Sequence, residues 1–264
     1  MFRSLLVNVD RSNDLAARIK LAANLADRFD ARLIGAGAHD FIPFVADGVS
    51  PGVVMELQRD GVEDMVKEAE ARFKRLTAKR PKTESRFDIQ APQVHLIAQA
   101  RAADLIIVPG GLASSSMGVD PGDIVMSAGK PVLVVPRHID HLHAERIVIA
   151  WSDTTECRRA VQDALPLLDR AQTVWVASFG TEYAADSVKD VVEYLTFRGI
   201  AAQAAVQPQL VHGISSDLYA FSETVAADLI VAGAYGHSRT REWAFGGVTH
   251  DLLESSPVSC LLAH

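Results

Sequence analysis

The chain has 264 residues, 26 Lys and Arg against 33 Asp and Glu, and a net charge of −7, so it offers no global attraction to phosphate backbones and no general nucleic-acid partner is expected. With 48% apolar and 22% charged residues its composition is that of a folded globular protein, which excludes disorder, collagen repeats and coiled coil. No apolar run approaches the ~20 residues of a membrane helix, and Asp10 comes too early for a signal-peptide core, so no membrane partner and a cytoplasmic location are expected.

The first short apolar run is at 5–9, followed by others at 31–36, 84–89, 104–109 and 131–135, most of them rich in Leu, Ile and Val like strands buried on both faces. Stretches of helical period lie between them at 14–30, 53–77, 94–102 and 120–128. In the second, Val62, Met65, Ala69, Phe73 and Leu76 recur at three- and four-residue spacing, which predicts one core-facing side. Gly35 and Gly37 lack the third glycine of a dinucleotide fingerprint and read as a closely packed strand end. The loop 39–52, rich in Phe, Pro and Gly, is expected to be a lid, a contact surface or a plain connection. Gly129-Lys130 runs into Pro131, with Ile124 where a P-loop needs its first glycine, so P-loop hydrolysis is set aside.

Beyond a linker, HIDHLHA at 138–144, the pattern starts again. Strands are predicted at 146–151, 173–178, 201–206, 228–233 and 257–262, and helices at 156–169, 183–198, 216–226 and 247–255. The stripe Val161, Leu165, Leu168 is read as core. AADLIIV at 102–108 recurs as AADLIVA at 226–232, PVLVVP at 131 as PVSCLL at 257, and SLLVNVDRS at 4 as RIVIAWSDT at 146. The offset is 142 residues at the starts but 124 at the AADLI segments, so the first copy carries about 18 extra residues, the place of the 39–52 insertion. The expected organisation is two homologous α/β units, 1–137 and 145–264, each an open parallel five-stranded sheet with crossover helices.

Open α/β sheets bind ligands at the carboxyl ends of their strands. After Asp228 to Ala232 the chain reads GAYGHSRTREWAFGGVTHDLL. Gly233 and Gly236 bracket a tight turn, and Gly246-Gly247-Val248-Thr249 opens the next helix. Glycines allow close backbone approach, and the N–H groups of a starting helix point at an anion such as phosphate. Thr249 adds a hydroxyl, and Arg239 and Arg241 supply charge. The plain alternative is a glycine-rich loop that only turns the chain.

At these residues the sequence resembles the universal stress protein family, in a tandem two-domain form. Gly233, Gly236 and Gly246 stand at the spacing of the family signature G-x2-G-x9-G-[S/T], and the V-D-x-S start at Val9, Asp10 and Ser12, the A-D-L-I strands and the closing P-V-L-V-V-P extend the likeness over nearly the whole chain. The resemblance implies two adenine nucleotide alpha-hydrolase-like (Rossmann-like) domains whose last strands meet across a pseudo-twofold, where a single-domain member would form a homodimer, and a homodimer of the whole chain is a further expectation. It also implies ATP, with Mg²⁺, as a ligand. Backbone groups at Gly233, Gly236, Gly246, Gly247 and Val248 would hold phosphates with help from Thr249, Ala150, Ser152, Asp153 and Ala177 would flank the base, and Asp10 is the matching acid of the first unit. The sequence departs from the pattern in both units. Gly247 replaces the small hydroxyl residue, Ser152 stands where an acid is expected with Asp153 one position later, and Trp151 is bulky. The first unit's loop, PGGLASSSMGVDPGDI, is two residues shorter and lacks the glycine spacing.

Other chemistry is thin. His138, His141 and His143 are close enough in sequence to share a metal, but a solvated linker is the simpler reading. His237 and His250 flank the glycine loop without an oriented nucleophile–base pair. Cys157 and Cys260 form no disulfide framework and read as packing residues in a reducing compartment. Trp243 and Phe245 are expected over a ligand or against the other unit. Two functions follow: a non-catalytic stress-response regulator that binds ATP mainly in the second unit, or a nucleotide-free protein-interaction scaffold with degenerate sites. ATP hydrolysis would need a general base or metal carboxylate that the sequence does not single out.

Overall fold

The computed structural model describes residues 1–41, 51–111, 115–180, 184–236 and 247–264. The first half contains β1 (Ser4–Asn8), α1 (Leu15–Arg28), β2 (Arg32–Ala38), α2 (Pro51–Leu76), β3 (Thr83–Asp88), α3 (Pro92–Gln99), β4 (Leu105–Pro109), α4 (Pro121–Ser127) and β5 (Val132–Val135). The second contains β6 (Arg146–Ala150), α5 (Thr155–Leu168), β7 (Thr173–Phe179), α6 (Ala184–Phe197), β8 (Ala202–Gln207), α7 (Ile214–Thr224), β9 (Leu229–Gly233), α8 (Gly247–Glu254) and β10 (Ser259–Ala263). These strands form one sheet in the order β3-β2-β1-β4-β5-β10-β9-β6-β7-β8. Neighbours are parallel except at the centre, where β5 and β10 pair antiparallel with Leu133 opposite Leu261. Each half thus repeats one strand order, and the expected pairing of the last strands is present.

Period-2 alternation sends Leu5, Val7 and Val9 to one face of the sheet and Leu6, Ile106 and Val108 to the other. α1, α2, α5 and α6 cover the first face, and α3, α4, α7 and α8 the second. Each fully buried Leu, Ile or Val contributes about 1.5–3 kcal/mol relative to exposure, and β1 is buried at all of its residues. The repeated AAD segment has a structural cause. The Asp104 carboxylate accepts the backbone N–H groups of Arg3 and Ser4, and Asp228 accepts those of Glu145 and Arg146. Each aspartate therefore ties the start of its unit's first strand to the adjacent fourth strand.

On α2 the buried face differs from the one expected. It runs through Val62, Val66, Ala69 and Phe73 and continues to Thr77 just past the helix end, while Leu76 is 44% exposed and Met65 is half-buried. Phe73 sets this rotation, because its ring fills the space that a side chain at Gly35 would occupy, 2.5 Å from that glycine's would-be Cβ. Gly37 is pressed against the Val9 carbonyl and Phe87, as a packed strand end requires. Among the described residues no helix is long and apolar enough to cross a membrane.

Candidate functional site

The strand order reverses direction beside β1 in the first half and beside β6 in the second, and crevices at the carboxyl ends of such strands are where open α/β sheets bind ligands. In the second half Ala150 closes β6, paired with Ala177 of β7 and Ala232 of β9. Ala177 is fully buried and Ala150 half-buried. The chain then turns outward. Trp151 is anchored on α6, 7% exposed, with its indole N–H donating to Ser187 at 3.1 Å. Ser152 and Asp153 are exposed, and Asp153 is held by Arg158 at 2.6 Å. Thr154 caps α5 by accepting the Cys157 N–H, a bond of about 1 kcal/mol.

Gly233, the last residue of β9, lies against this helix start. A Cβ there would stand 2.4 Å from the Cys157 nitrogen and 2.8 Å from the Glu156 carbonyl carbon. Only glycine permits that approach. Tyr235 takes a left-handed conformation, φ 59°, and its hydroxyl reaches the first half, 2.7 Å from the would-be Cβ of Gly122 at the start of α4. Gly236 is exposed and bordered by Thr154 and by the Glu156 carboxylate, whose Oε2 is 2.6 Å from the position a Cβ would take. Gly247 opens α8 exposed, Val248 is half-buried and Thr249 is 9% exposed. Gly246, with His237, Arg239, Arg241, Trp243 and Phe245, lies outside the described residues, as does most of the 39–52 loop.

The first half builds its crevice differently. Asp10 is 2% exposed, and its Oδ1 accepts the Ser12 N–H and hydroxyl and lies 2.7 Å from the Arg18 guanidinium. Arg18 also donates to the Asn8 carbonyl. The acid that matches the family start is therefore an anchor for α1. The glycine pair after β4 is likewise engaged, Gly110 N–H donating to Val135 and Gly111 N–H to Leu253 of α8. A cavity of about 370 Å³ lies beside this seam, between Gly110, Gly111, Arg137 and the end of α8.

Arg18 and Glu156 are the two residues that sequence reasoning missed. Arg18 carried a signal, since it interrupts the apolar face formed by Leu15, Ile19 and Ala22. Glu156 carried none, being one more acid in a helix's first turn. His138 pairs with Asp14 at 3.2 Å and His141 with Asp140 at 2.8 Å, and no metal-holding group of three acids, cysteines or histidines occurs among the described residues. Cys157 and Cys260 are buried. Burial raises both thiols, Cys260 to about 12.

No family model matches the chain, and no curated protein matches its sequence. Solved structures do share its fold. A universal stress protein from Archaeoglobus fulgidus DSM 4304 superposes with a TM-score of 0.73 at 14% identity, over 98% of this chain and 97% of that one. A functionally unknown protein from Pseudomonas aeruginosa PAO1 gives 0.59 at 14% identity, over 99% and 92%. A putative universal stress protein from Pseudomonas aeruginosa UCBPP-PA14 gives 0.55 at 14% identity, over 99% and 93%. The ten-stranded fold is thus shared along the whole chain with structures described as universal stress proteins.

Proposed function

We propose that this chain is a tandem universal stress protein, with domains 1–137 and 145–264, acting as a cytoplasmic stress-response regulator that binds an adenine nucleotide in its second domain. The observation that carries the reading is the approach of Gly233 to the first turn of α5. It closes the end of β9 onto the first turn of α5, whose Cys157 N–H is taken by Thr154, so the backbone N–H groups proposed to meet phosphate are those that follow Gly233 and those that open α8. Ala150 and Ala177 are assigned beside the base, Ser152 offers a hydroxyl at the mouth, and Gly236, Gly246, Gly247, Val248 and Thr249 are assigned to the phosphates. Asp153 is committed to Arg158, and Asp10 to Arg18. Mg²⁺ would enter with the triphosphate. No catalytic step is assigned.

One feature opposes an anion. The Glu156 carboxylate borders Gly236, and a like charge about 4 Å away costs about 4 kcal/mol at an effective dielectric of 20, reduced to about 1 kcal/mol at a half-exposed position. Together with Gly247 in place of a hydroxyl, it favours the second reading, a nucleotide-free interaction scaffold. Calorimetric titration of ATP and Mg²⁺ into nucleotide-stripped protein separates the two. Binding that is lost in Gly236→Asp, tightened up to about tenfold in Glu156→Gln and accompanied by unchanged far-UV spectra supports the nucleotide reading. No heat and no thermal shift up to millimolar ATP in either the native chain or Glu156→Gln refutes it.

A further inference from the structure

The two ends of the sheet differ. At one end β3 is studded with charge: Glu84 accepts from Arg32 and Arg86, and Ser85 donates to Glu70. An edge of that kind discourages a further strand. At the other end no Asp, Glu, Lys or Arg occurs between Arg198 and Asp217, and β8 exposes Gln203 and Ala204 at mid-strand. Val174 N–H donates to the Ala201 carbonyl and Gly180 N–H to that of Gln207. Peptide groups alternate in direction along a strand, so the odd-numbered residues of β8 face β7. The N–H and C=O groups of Ala202, Ala204 and Val206 face outward, where no described strand meets them.

Among the described residues, five of the eight large apolar side chains that stand in solvent gather at the two ends of this strand, Met1, Leu76 and Val94 lying elsewhere. Tyr194 and Phe197 precede it on α6, and Leu210, Val211 and Ile214 follow it. Phe197 is 95% exposed and Val211 77%. The Val211 segment is nonetheless fixed, because the N–H groups of Val211 and His212 donate to the buried Asp217 carboxylate.

We propose that β8 is the dimerisation edge of this protein, at which a second copy sets its own β8 antiparallel about a twofold axis through Ala204. In that register Ala204 faces its mate and Ala202 faces the partner's Val206 as hydrogen-bonded pairs, which consumes the outward groups. Phe197 precedes the first end of β8 and Val211 follows its other end, so an antiparallel twofold sets the Phe197 end of each copy beside the Val211 end of its mate. A strand from an unrelated protein would have to match two different apolar ends, whereas a twofold matches both with one patch. The chain already joins its own halves by this kind of pairing, β5 against β10. Copies of charge −7 repel, and the uncharged segment lets them meet without like charges face to face. The proposal stands apart from the nucleotide reading.

Sedimentation velocity on the full chain over a wide concentration range tests it. The expected result is a monomer–dimer equilibrium that is lost in Ala204→Pro, which removes an N–H that β7 does not use, and in Phe197→Ser, which alters a side chain already in solvent. Ala204→Cys is expected to form an interchain disulfide on mild oxidation, since hydrogen-bonded antiparallel pairs hold Cα atoms about 5.5 Å apart, within disulfide reach. The buried Cys157 and Cys260 leave that readout clean. If Ala204→Pro misfolds by circular dichroism, Phe197→Ser and the crosslink decide. A strictly monomeric native chain, a dimer untouched by Phe197→Ser, or a dimer that gives no Ala204→Cys crosslink overturns the proposal.

Discussion

Replacing Arg18 by Met tests the anchor that sets the first half's crevice. The guanidinium and the Asp10 carboxylate are 2.7 Å apart, with both side chains 3% exposed. Methionine keeps most of the apolar stem but leaves the Asp10 carboxyl buried without its cation, with only the Ser12 N–H and hydroxyl donating to it. The Asn8 carbonyl also loses its Arg18 donor. Breaking a buried pair by removing one partner costs about 3–5 kcal/mol. In a chain of this length each kcal/mol moves the thermal midpoint by roughly 2 °C, so the expected loss is about 6–10 °C by differential scanning calorimetry. Asp10→Asn combined with Arg18→Met should recover much of that loss, because no unpaired charge stays buried. A loss under about 1 kcal/mol for Arg18→Met, or strict additivity in the double variant, would show that water reaches the pair. Asp10 would then be free to meet a ligand, and the first half would regain a crevice chemistry that the present geometry denies it.

Gly233→Ala places a methyl group 2.4 Å from the Cys157 nitrogen, against the Glu156–Cys157 backbone, and is expected to destabilise by about 1–3 kcal/mol as β9 and α5 are forced apart; urea unfolding checks this, and a neutral result would mean that the two elements slide freely. Because burial raises the Cys157 and Cys260 thiols, Cys260 to about 12, neither should react with a thiol reagent in the native state at pH 8, and both should react in denaturant. Each group is raised, so the native state favours its protonated thiol. Folding stability should therefore begin to fall once the pH passes the ordinary unfolded thiol value near 8.5, and stability rising through that range would contradict the burial.

The tandem architecture was legible because duplication leaves marks in several places at once. The AADLI segments, the Pro-Val strands and the first strands each recur, and the structure shows why they must. Asp104 and Asp228 pin strand starts, and the Pro-Val runs become β5 and β10 at the seam. The positions of the eight inner strands follow from apolar runs buried on both faces, a local property, whereas the edge strands β3 and β8 are only partly buried. The face of α2 was read less well, since the choice between Leu76 and Thr77 depends on where Phe73 meets Gly35, two residues far apart in the chain.

The candidate site divides along the same line. Glycine spacing at Gly233 and Gly236 was visible in the sequence, and so was the departure at Gly247. That Asp10 is consumed by Arg18, that Trp151 turns toward α6, that Glu156 borders Gly236 and that no described strand covers the outer side of β8 were not. By itself the sequence determined periodicity, repetition and residue chemistry, all of which are written within one segment at a time. Only the tertiary structure decided which charges neutralise one another and which backbone groups stay unpaired, because those outcomes depend on distances between segments that local propensity does not encode.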